Sequence, residues 1–447
     1  MKIAFVSLGC DKNLADTELM LEILRRKGYE FTDDAQEADA AVVNTCCFIG
    51  DAKEESINTV LELAELRREG RLKALVAAGC LAQRYGKEIR EEIPEVDGLV
   101  GTAAIEDILE AVETALSGEK RDFFRDLDSP PAVRRERVLT TGGHFAYLKI
   151  AEGCNKRCTY CVIPAVRGNY RSIPMEELTA QAEKLAEEGV RELILVAQET
   201  TLYGVDLYGE KSLPLLLRRL ARISGLYWIR ILYCYPEEIT EELISVMAEE
   251  PKICHYLDIP IQHSSDTVLK RMGRRTDQAQ LRRMIGLLRE RIPDICLRTT
   301  LISGFPGETQ EDFEDLYRFV NEMEFDRLGV FPYSQEEDTA AALMPDQIPD
   351  EVKEFRRDEL MELQQAIAFE KAQEMAGQVL TVMIEGKVAD DDVYVGRTYR
   401  DAPGVDGYLF VNTSADLMTG DFVRAIVTDS NEYDLIGEIY YEEDELT

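Results

Sequence analysis

Hydrophobic positions along this chain change their period from region to region. At the start, unbroken apolar runs at Ile3–Val6, Ala40–Val43 and Leu75–Ala78 have the pattern of buried parallel strands. Between them, Asp16 is placed to cap a helix over Glu18–Lys27 that Gly28 ends. A second helix over Glu54–Arg68 puts Ile57, Val60, Leu61 and Ala64 on one face. From Phe145 to Val330 a strand–helix rhythm repeats. Strands are predicted at Phe145–Ile150, Glu192–Val196, Tyr227–Leu232, Tyr256–Ile259, Ile295–Leu301 and Arg327–Phe331. Amphipathic stretches separate them, at Met175–Glu188, Leu213–Ile223, Glu241–Ala248, Ala279–Arg291 and Gln310–Glu322.

Six such units in parallel order predict a partial (β/α)6 barrel with its chemistry at the C-terminal strand ends. A long helix over Asp350–Met375 leaves this domain. Beyond Gly377 the strands are short, at Thr381–Ile384, Tyr408–Val411 and Phe422–Val427, with turns at Gly404, Asp406–Gly407 and Gly420. That pattern predicts a small antiparallel β-barrel. The fold class is therefore α/β, in three parts: an open α/β domain over 1–120, the partial barrel over 143–376 and the small barrel over 377–447. The segment 121–142 reads as a linker, because the stretch Glu119–Arg137 is charged and contains Pro130 and Pro131.

Composition narrows the chemistry. No run reaches the roughly 18 residues of a membrane span, and the N-terminus is too short for a signal peptide. A cytoplasmic chain with no membrane partner is expected. In a reducing compartment, ten cysteines point to metal or catalytic roles rather than disulfides. The three histidines, His144, His255 and His263, form no HxxxH pair, so histidine-based metal chemistry has little support. A formal net charge of −35 disfavours general nucleic-acid binding, which depends on Lys and Arg neutralising phosphates.

Cys154, Cys158 and Cys161 stand in CxxxCxxC spacing directly after the first predicted barrel strand. Three thiolates within eight residues can ligate three irons of a four-iron cubane and leave the fourth open. A zinc site would need a fourth Cys or His nearby, and none is there. Cys10, Cys46 and Cys80 have no local metal spacing. Each follows a predicted parallel strand, and such strand ends share one crevice in an open α/β sheet. A second three-thiolate site and three ordinary buried cysteines both fit that placement. Cys47 points elsewhere by strand alternation, and Cys234, Cys254 and Cys296 read as core.

The loop Gly153–Cys161 resembles the cluster loop of the radical S-adenosylmethionine superfamily. The words SLGCDKN at Ser7–Asn13, NTC at Asn44–Cys46 and AGC at Ala78–Cys80 resemble the N-terminal domain of its methylthiotransferase family. The resemblance implies a [4Fe-4S] cluster on Cys154, Cys158 and Cys161 that generates the radical, so no side chain is named as catalytic. It implies a second [4Fe-4S] cluster on Cys10, Cys46 and Cys80, and a TRAM-like tail. S-adenosylmethionine is then the cofactor, with Tyr160, Gln198, Glu199, Asp258, Arg298, Ile302 and Gly304 as its contacts. Gln198 and Glu199 fit satisfied loop residues equally well, Asp258 fits a ribose or a substrate, and Gly304 also reads as a turn glycine.

Most of that family modifies transfer RNA; one branch methylthiolates an aspartate of small-subunit ribosomal protein twelve. From Gly377 onward sixteen Asp or Glu face four Lys or Arg, the reverse of what RNA binding requires. Such a tail suits a basic ribosomal protein, free or on the small ribosomal subunit. The words SLGCDKN and Arg397–Gly407 resemble the ribosomal-protein branch, although Gly404 departs from its usual Glu. An electron donor such as flavodoxin or ferredoxin is implied. The rival readings are a transfer-RNA adenosine methylthiotransferase and a non-catalytic iron–sulfur sensor.

Overall fold

The computed structural model describes residues 1–441. Four of the sixteen tail acids, Glu442, Glu443, Asp444 and Glu445, lie outside the described residues.

The first sheet has six parallel strands in the order Glu30–Thr32, Lys2–Ser7, Ala40–Thr45, Ala74–Gly79, Gly98–Val100, Arg121–Phe123. The predicted linker thus supplies an edge strand. The first helix spans Asp11–Lys27, about two turns earlier than expected, because the carbonyl of Cys10 already accepts from the N–H of Leu14 at 3.0 Å. Asp16 is therefore mid-helix and buried, and it pairs with cations of the next domain instead of capping. Gly28 ends the helix in left-handed geometry at φ +95. In the helix Gly50–Arg68 the buried stripe is Ser56, Val60, Leu63 and Ala64, while Leu61 is 43% exposed. The apolar face is turned by a residue from the expected one.

The second sheet is open and fully parallel, in the order Arg327–Pro332, Cys296–Ser303, Ile253–Asp258, Trp228–Ile231, Glu192–Val196, Phe145–Lys149. One face packs on the surrounding helices through Leu148, Leu195, Ile231 and Leu257. The other carries Ile194, Val196, Trp228, Tyr256, Cys254 and Cys296, and it is covered by Met383, Ala402 and Phe422 of the C-terminal domain. Cys254 and Cys296 are core here, Cys234 lies in the helix-side core and Cys47 in that of the first domain.

The C-terminal domain is a closed five-stranded barrel. Val393–Thr398 and Asp434–Ile439 are strands that the pattern did not announce. Four of the five pairings are antiparallel, whereas Leu409–Asn412 runs parallel to Asp434–Ile439. An odd ring cannot alternate direction all the way round, so one parallel pair is obligatory. The long helix Asp350–Glu374 does not leave the second domain; Gln364 Nε2 donates to the carbonyl of Phe325 at 2.8 Å, and Arg356 pairs with Glu308. Buried ion pairs lock the small barrel in place. Arg230, fully buried, donates to the carbonyl of Tyr399 at 2.6 Å and pairs with Glu192 at 2.7 Å, which also pairs with Arg397 at 2.7 Å.

Candidate functional site

The first cysteine trio is built by one loop. Gly153 adopts φ +77, and a Cβ there would lie 2.1 Å from the carbonyl oxygen of Asn169, so only glycine lets the loop begin. Cys154 N–H donates to the carbonyl of Gly168 at 3.1 Å and Cys161 N–H to that of Cys158 at 3.1 Å. Cys154 and Cys158 are buried and Cys161 is half-buried.

The second trio is assembled from three strand ends. Cys10 caps the helix Asp11–Lys27, Cys80 opens the helix Cys80–Glu92, and Cys46 follows the strand Ala40–Thr45. Helix N-termini favour thiolates. Two glycines allow the approach. A Cβ on Gly9, at φ +88, would sit 2.6 Å from Cys46 Cβ, and one on Gly79, at φ +89, would sit 2.3 Å from Asn44 Oδ1. Asn13 pins the crevice: its Nδ2 donates to the carbonyls of Leu8 and Thr45, both at 3.0 Å, and its Oδ1 lies 3.8 Å from Cys80 Sγ.

Arg167, six residues beyond Cys161, ties the two trios together. It is 2% exposed and donates to Asp16 at 2.7 Å, to Glu152 at 3.1 Å and to Asn13, and it faces the Cys80 thiol. Lys149 pairs with the same Asp16 and Glu152. Sequence reasoning missed this network. Asn13 within SLGCDKN was its one local signal.

Two cavities open where the domains meet. One of about 480 Å³ is lined by Cys10 and Asp11, by Tyr233, Asp258 and Arg298 at the barrel mouth, and by Pro403 and Val405 of the small barrel. The second, about 180 Å³, is lined by Tyr160, Gln262, Thr300, Ile302, Tyr333 and by Phe48–Ile49, just after Cys46. Tyr160 and Ile302 thus share one cavity, while Asp258 and Arg298 share the other with Cys10. Arg298 pairs with Asp258 at 3.0 Å and with Asp406 at 3.4 Å. Tyr233 holds a left-handed backbone at φ +61; its N–H donates to Asp258 at 3.0 Å, its hydroxyl to Asp11 at 3.1 Å, and Lys12 Nζ lies 3.2 Å from its ring centroid.

Gln198 donates to Glu152 at 2.8 Å. Glu199 accepts from the N–H of Thr201 at 2.9 Å; its other oxygen is buried without a hydrogen-bond partner, and burial pushes its carboxyl up to about 7. Gly304 lines neither cavity. It sits at φ +68 where a Cβ would be 2.3 Å from Lys353 Cγ, so it lets the long helix approach the strand.

The donor set suits a cubane better than a single ion. Among the described residues no three His, Cys, Asp or Glu side chains are arranged to hold one metal ion. A cubane instead takes one thiolate per iron. Burial pushes the Cys46 and Cys161 thiols up to about 12 and Cys154 up to about 11. Thiols of this kind become thiolates on binding cationic iron.

Comparison with known proteins extends the picture. The family models that match are uncharacterized protein family UPF0004 over residues 2–101, the radical SAM superfamily over 148–320 and the TRAM domain over 376–439. In fold, the radical S-adenosylmethionine methyltransferase TsrM from Kitasatospora setae superposes with a TM-score of 0.52 at 15% identity, covering 74% of this chain and 72% of that one. The cobalamin-dependent S-adenosylmethionine radical enzyme OxsB gives 0.52 at 14% identity, over 81% and 56%. With its parallel open barrel and its three-thiol loop, the chain is a radical S-adenosylmethionine enzyme.

The full-length relatives are more specific. The ribosomal protein uS12 methylthiotransferase RimO of Lachnoclostridium phytofermentans is 61% identical, covering 98% of this chain and 99% of its own length. Those of Pelotomaculum thermopropionicum and Clostridioides difficile are 52% and 48% identical, with 98–99% of each chain covered. The chain belongs to the ribosomal protein uS12 methylthiotransferase family.

Proposed function

We propose that this methylthiotransferase inserts a methylthio group at the β-carbon of one aspartate of ribosomal protein uS12, with Cys154, Cys158 and Cys161 holding one [4Fe-4S] cluster and Cys10, Cys46 and Cys80 a second. The observation that carries the reading is Arg167, a single buried side chain joining the cluster loop to Cys80 and Asn13 of the other domain. When bound, the clusters and S-adenosylmethionine supply the one-electron bond cleavage, the radical that abstracts hydrogen and the methylthio group.

The chain's own residues do the positioning. Tyr160 and Ile302 form an apolar wall for the cofactor, and the unpartnered Glu199 oxygen suits its amino group. Gln198 orients Glu152, which anchors Lys149 and Arg167. The larger cavity receives the target aspartate. There the ion pairs of Arg298 use Nη1 and Nε, so Nη2 can take the incoming carboxylate while Cys10 faces the β-carbon. Apolar packing of the C-terminal barrel on the sheet keeps water from the radical.

Two groups of acids in the small barrel differ in what they do. Glu385, Asp401 and Asp406 are spent on Arg397, Arg327 and Arg298. Asp390, Asp391 and Asp392 are exposed on a hairpin and suit a basic protein better than a phosphate backbone. Among the described residues no helix is long and apolar enough to cross a membrane. The electron donor is taken to be a flavodoxin or ferredoxin.

The test is anaerobic incubation of the reconstituted chain with S-adenosylmethionine, dithionite and uS12, followed by mass spectrometry. A methylthio addition on one aspartate, with 5′-deoxyadenosine released, is expected. Modification of transfer RNA with uS12 untouched would sink the reading.

A further inference from the structure

The helix Asp266–Arg271 ends in a motif that turns one basic side chain inward. Gly273, at φ +73, donates its N–H to the carbonyl of Lys270 at 3.1 Å, and Arg274 N–H reaches that of Leu269 at 2.9 Å. These are the paired bonds of a Schellman cap, and they fix the exit direction of the chain. The cap is docked on the cluster loop: Thr159 N–H donates to the carbonyl of Met272 and its hydroxyl to that of Arg271, each at 2.9 Å. A Cβ on Gly273 would lie 2.9 Å from the carbonyl oxygen of Arg157.

Arg274 is consequently only 7% exposed. Its Nη2 donates to the carbonyl of Pro260 at 3.0 Å, but Nε and Nη1 are buried with no hydrogen-bond partner. Its guanidinium lies 4.2 Å from the ring centroid of Tyr235, whose hydroxyl is 3.6 Å from Cys158 Sγ. Among the described residues no carboxylate forms an ion pair with it; Glu237, an acid that acts on it from further off, is paired with Lys156 at 3.2 Å. A guanidinium does not deprotonate, and a buried charge without a counter-charge is strongly destabilising. Other arginines buried at this junction have their acids: Arg167 has Asp16 and Glu152, and Arg230 has Glu192. Arg274 instead faces Tyr160, Tyr235 and Cys158.

We propose that the counter-charge of Arg274 is the iron–sulfur cluster itself, and that this arginine is a positioning residue that raises the cluster's reduction potential. The inference rests on the assignment of that cluster to Cys154, Cys158 and Cys161. A [4Fe-4S]2+ core with three thiolates carries one net negative charge, and uptake of one electron from a one-electron donor makes it two. A fixed cation beside the cluster would stabilise the second state more than the first, and net charge is one of the determinants of cluster potential. No bond is made or broken in that step.

The experiment is an EPR-monitored redox titration of the full-length protein without S-adenosylmethionine, in a Cys10→Ala, Cys46→Ala, Cys80→Ala background that leaves one cluster to titrate. Arg274→Gln is expected to lower the reduction equilibrium at least tenfold, equivalent to about 59 mV for a one-electron couple, and Arg274→Lys to restore most of it. An unchanged potential in Arg274→Gln would overturn the proposal. So would a shift seen only after S-adenosylmethionine is added, which would make Arg274 a cofactor contact instead. If Arg274→Gln binds no iron, Arg274→Lys decides: a cluster of near-parental potential supports the charge role, and an empty Lys variant overturns it. A parent that assembles no cluster would reject the cluster assignment itself, whereas a parent with a cluster and no arginine effect rejects only this role.

Discussion

The two cysteine trios reach the same composition by opposite routes. Cys154, Cys158 and Cys161 lie on one short loop whose geometry is set by Gly153, by the bond from Cys161 N–H to the Cys158 carbonyl, and by anchors to Gly168 and Met272. Cys10, Cys46 and Cys80 come from three strand ends separated by whole helices, and they meet only when the parallel sheet has formed. A single loop needs only its own few anchors to present its thiols. A crevice depends on the register of every strand that feeds it. The two sites are therefore expected to fail differently.

The largest difference is in chemistry. Cys158→Ala is expected to reduce S-adenosylmethionine cleavage to background, measured as 5′-deoxyadenosine. Cys46→Ala should leave that cleavage in place and abolish methylthio transfer. Each variant should fall from about eight irons per chain to about four. Equal loss of cleavage in both variants would mean that the trios do not divide the work.

The same contrast explains what could be read without a structure. The CxxxCxxC loop was legible because its chemistry is written in eight consecutive residues. The parallel strands were legible because runs such as Ala40–Val43 are buried on both faces. The second trio needed the additional step of placing three strand ends in one crevice. Arg167 and Arg274 were invisible to that procedure, since their meaning lies in which domain or loop packs against them. Asp16 misled for the same reason: a residue type that caps helices is here mid-helix, paired with Lys149 and Arg167 across the domain boundary. The two missed strands of the small barrel, Val393–Thr398 and Asp434–Ile439, carry glycine and charge that mask their alternation.

Arg167 tests whether the two sites are energetically joined. Arg167→Ala leaves Asp16 and Glu152 buried with only Lys149 between them, and loss of one member of such a cluster costs about 3–5 kcal/mol. Chemical denaturation of the apo-protein should show that loss. Iron analysis should show the crevice cluster depleted before the loop cluster. A change below about 1 kcal/mol would indicate that the domains are held mainly by apolar packing.

A glycine pair probes each route at its hinge. Gly9→Ala forces an L-residue into left-handed geometry, at about 1–2 kcal/mol, and presses a methyl against Cys46. The expected outcome is loss of the second cluster with cofactor cleavage intact. Gly153→Ala strikes the carbonyl of Asn169 and should remove the first cluster instead. If both variants lose the same cluster, the sites do not assemble independently.

The smallest effect is expected at Tyr233, which lies outside both trios yet faces Cys10 across the larger cavity. Its hydroxyl donates to Asp11 at 3.1 Å, and Asp11 also holds Lys12 at 3.0 Å, so one phenol ties the barrel mouth to the helix that Cys10 begins. Tyr233→Phe keeps the ring under Lys12 and removes the hydroxyl's bond to Asp11, a loss of about 1 kcal/mol in a denaturation experiment. Iron content and 5′-deoxyadenosine formation should be unchanged, because the cluster loop does not depend on this contact. Methylthio transfer should fall severalfold, since the cavity wall that Tyr233 shares with Asp258 and Arg298 is no longer tied to Asp11. A variant that transfers the group at the parental rate would show that the crevice, once folded, is as self-sufficient as the loop.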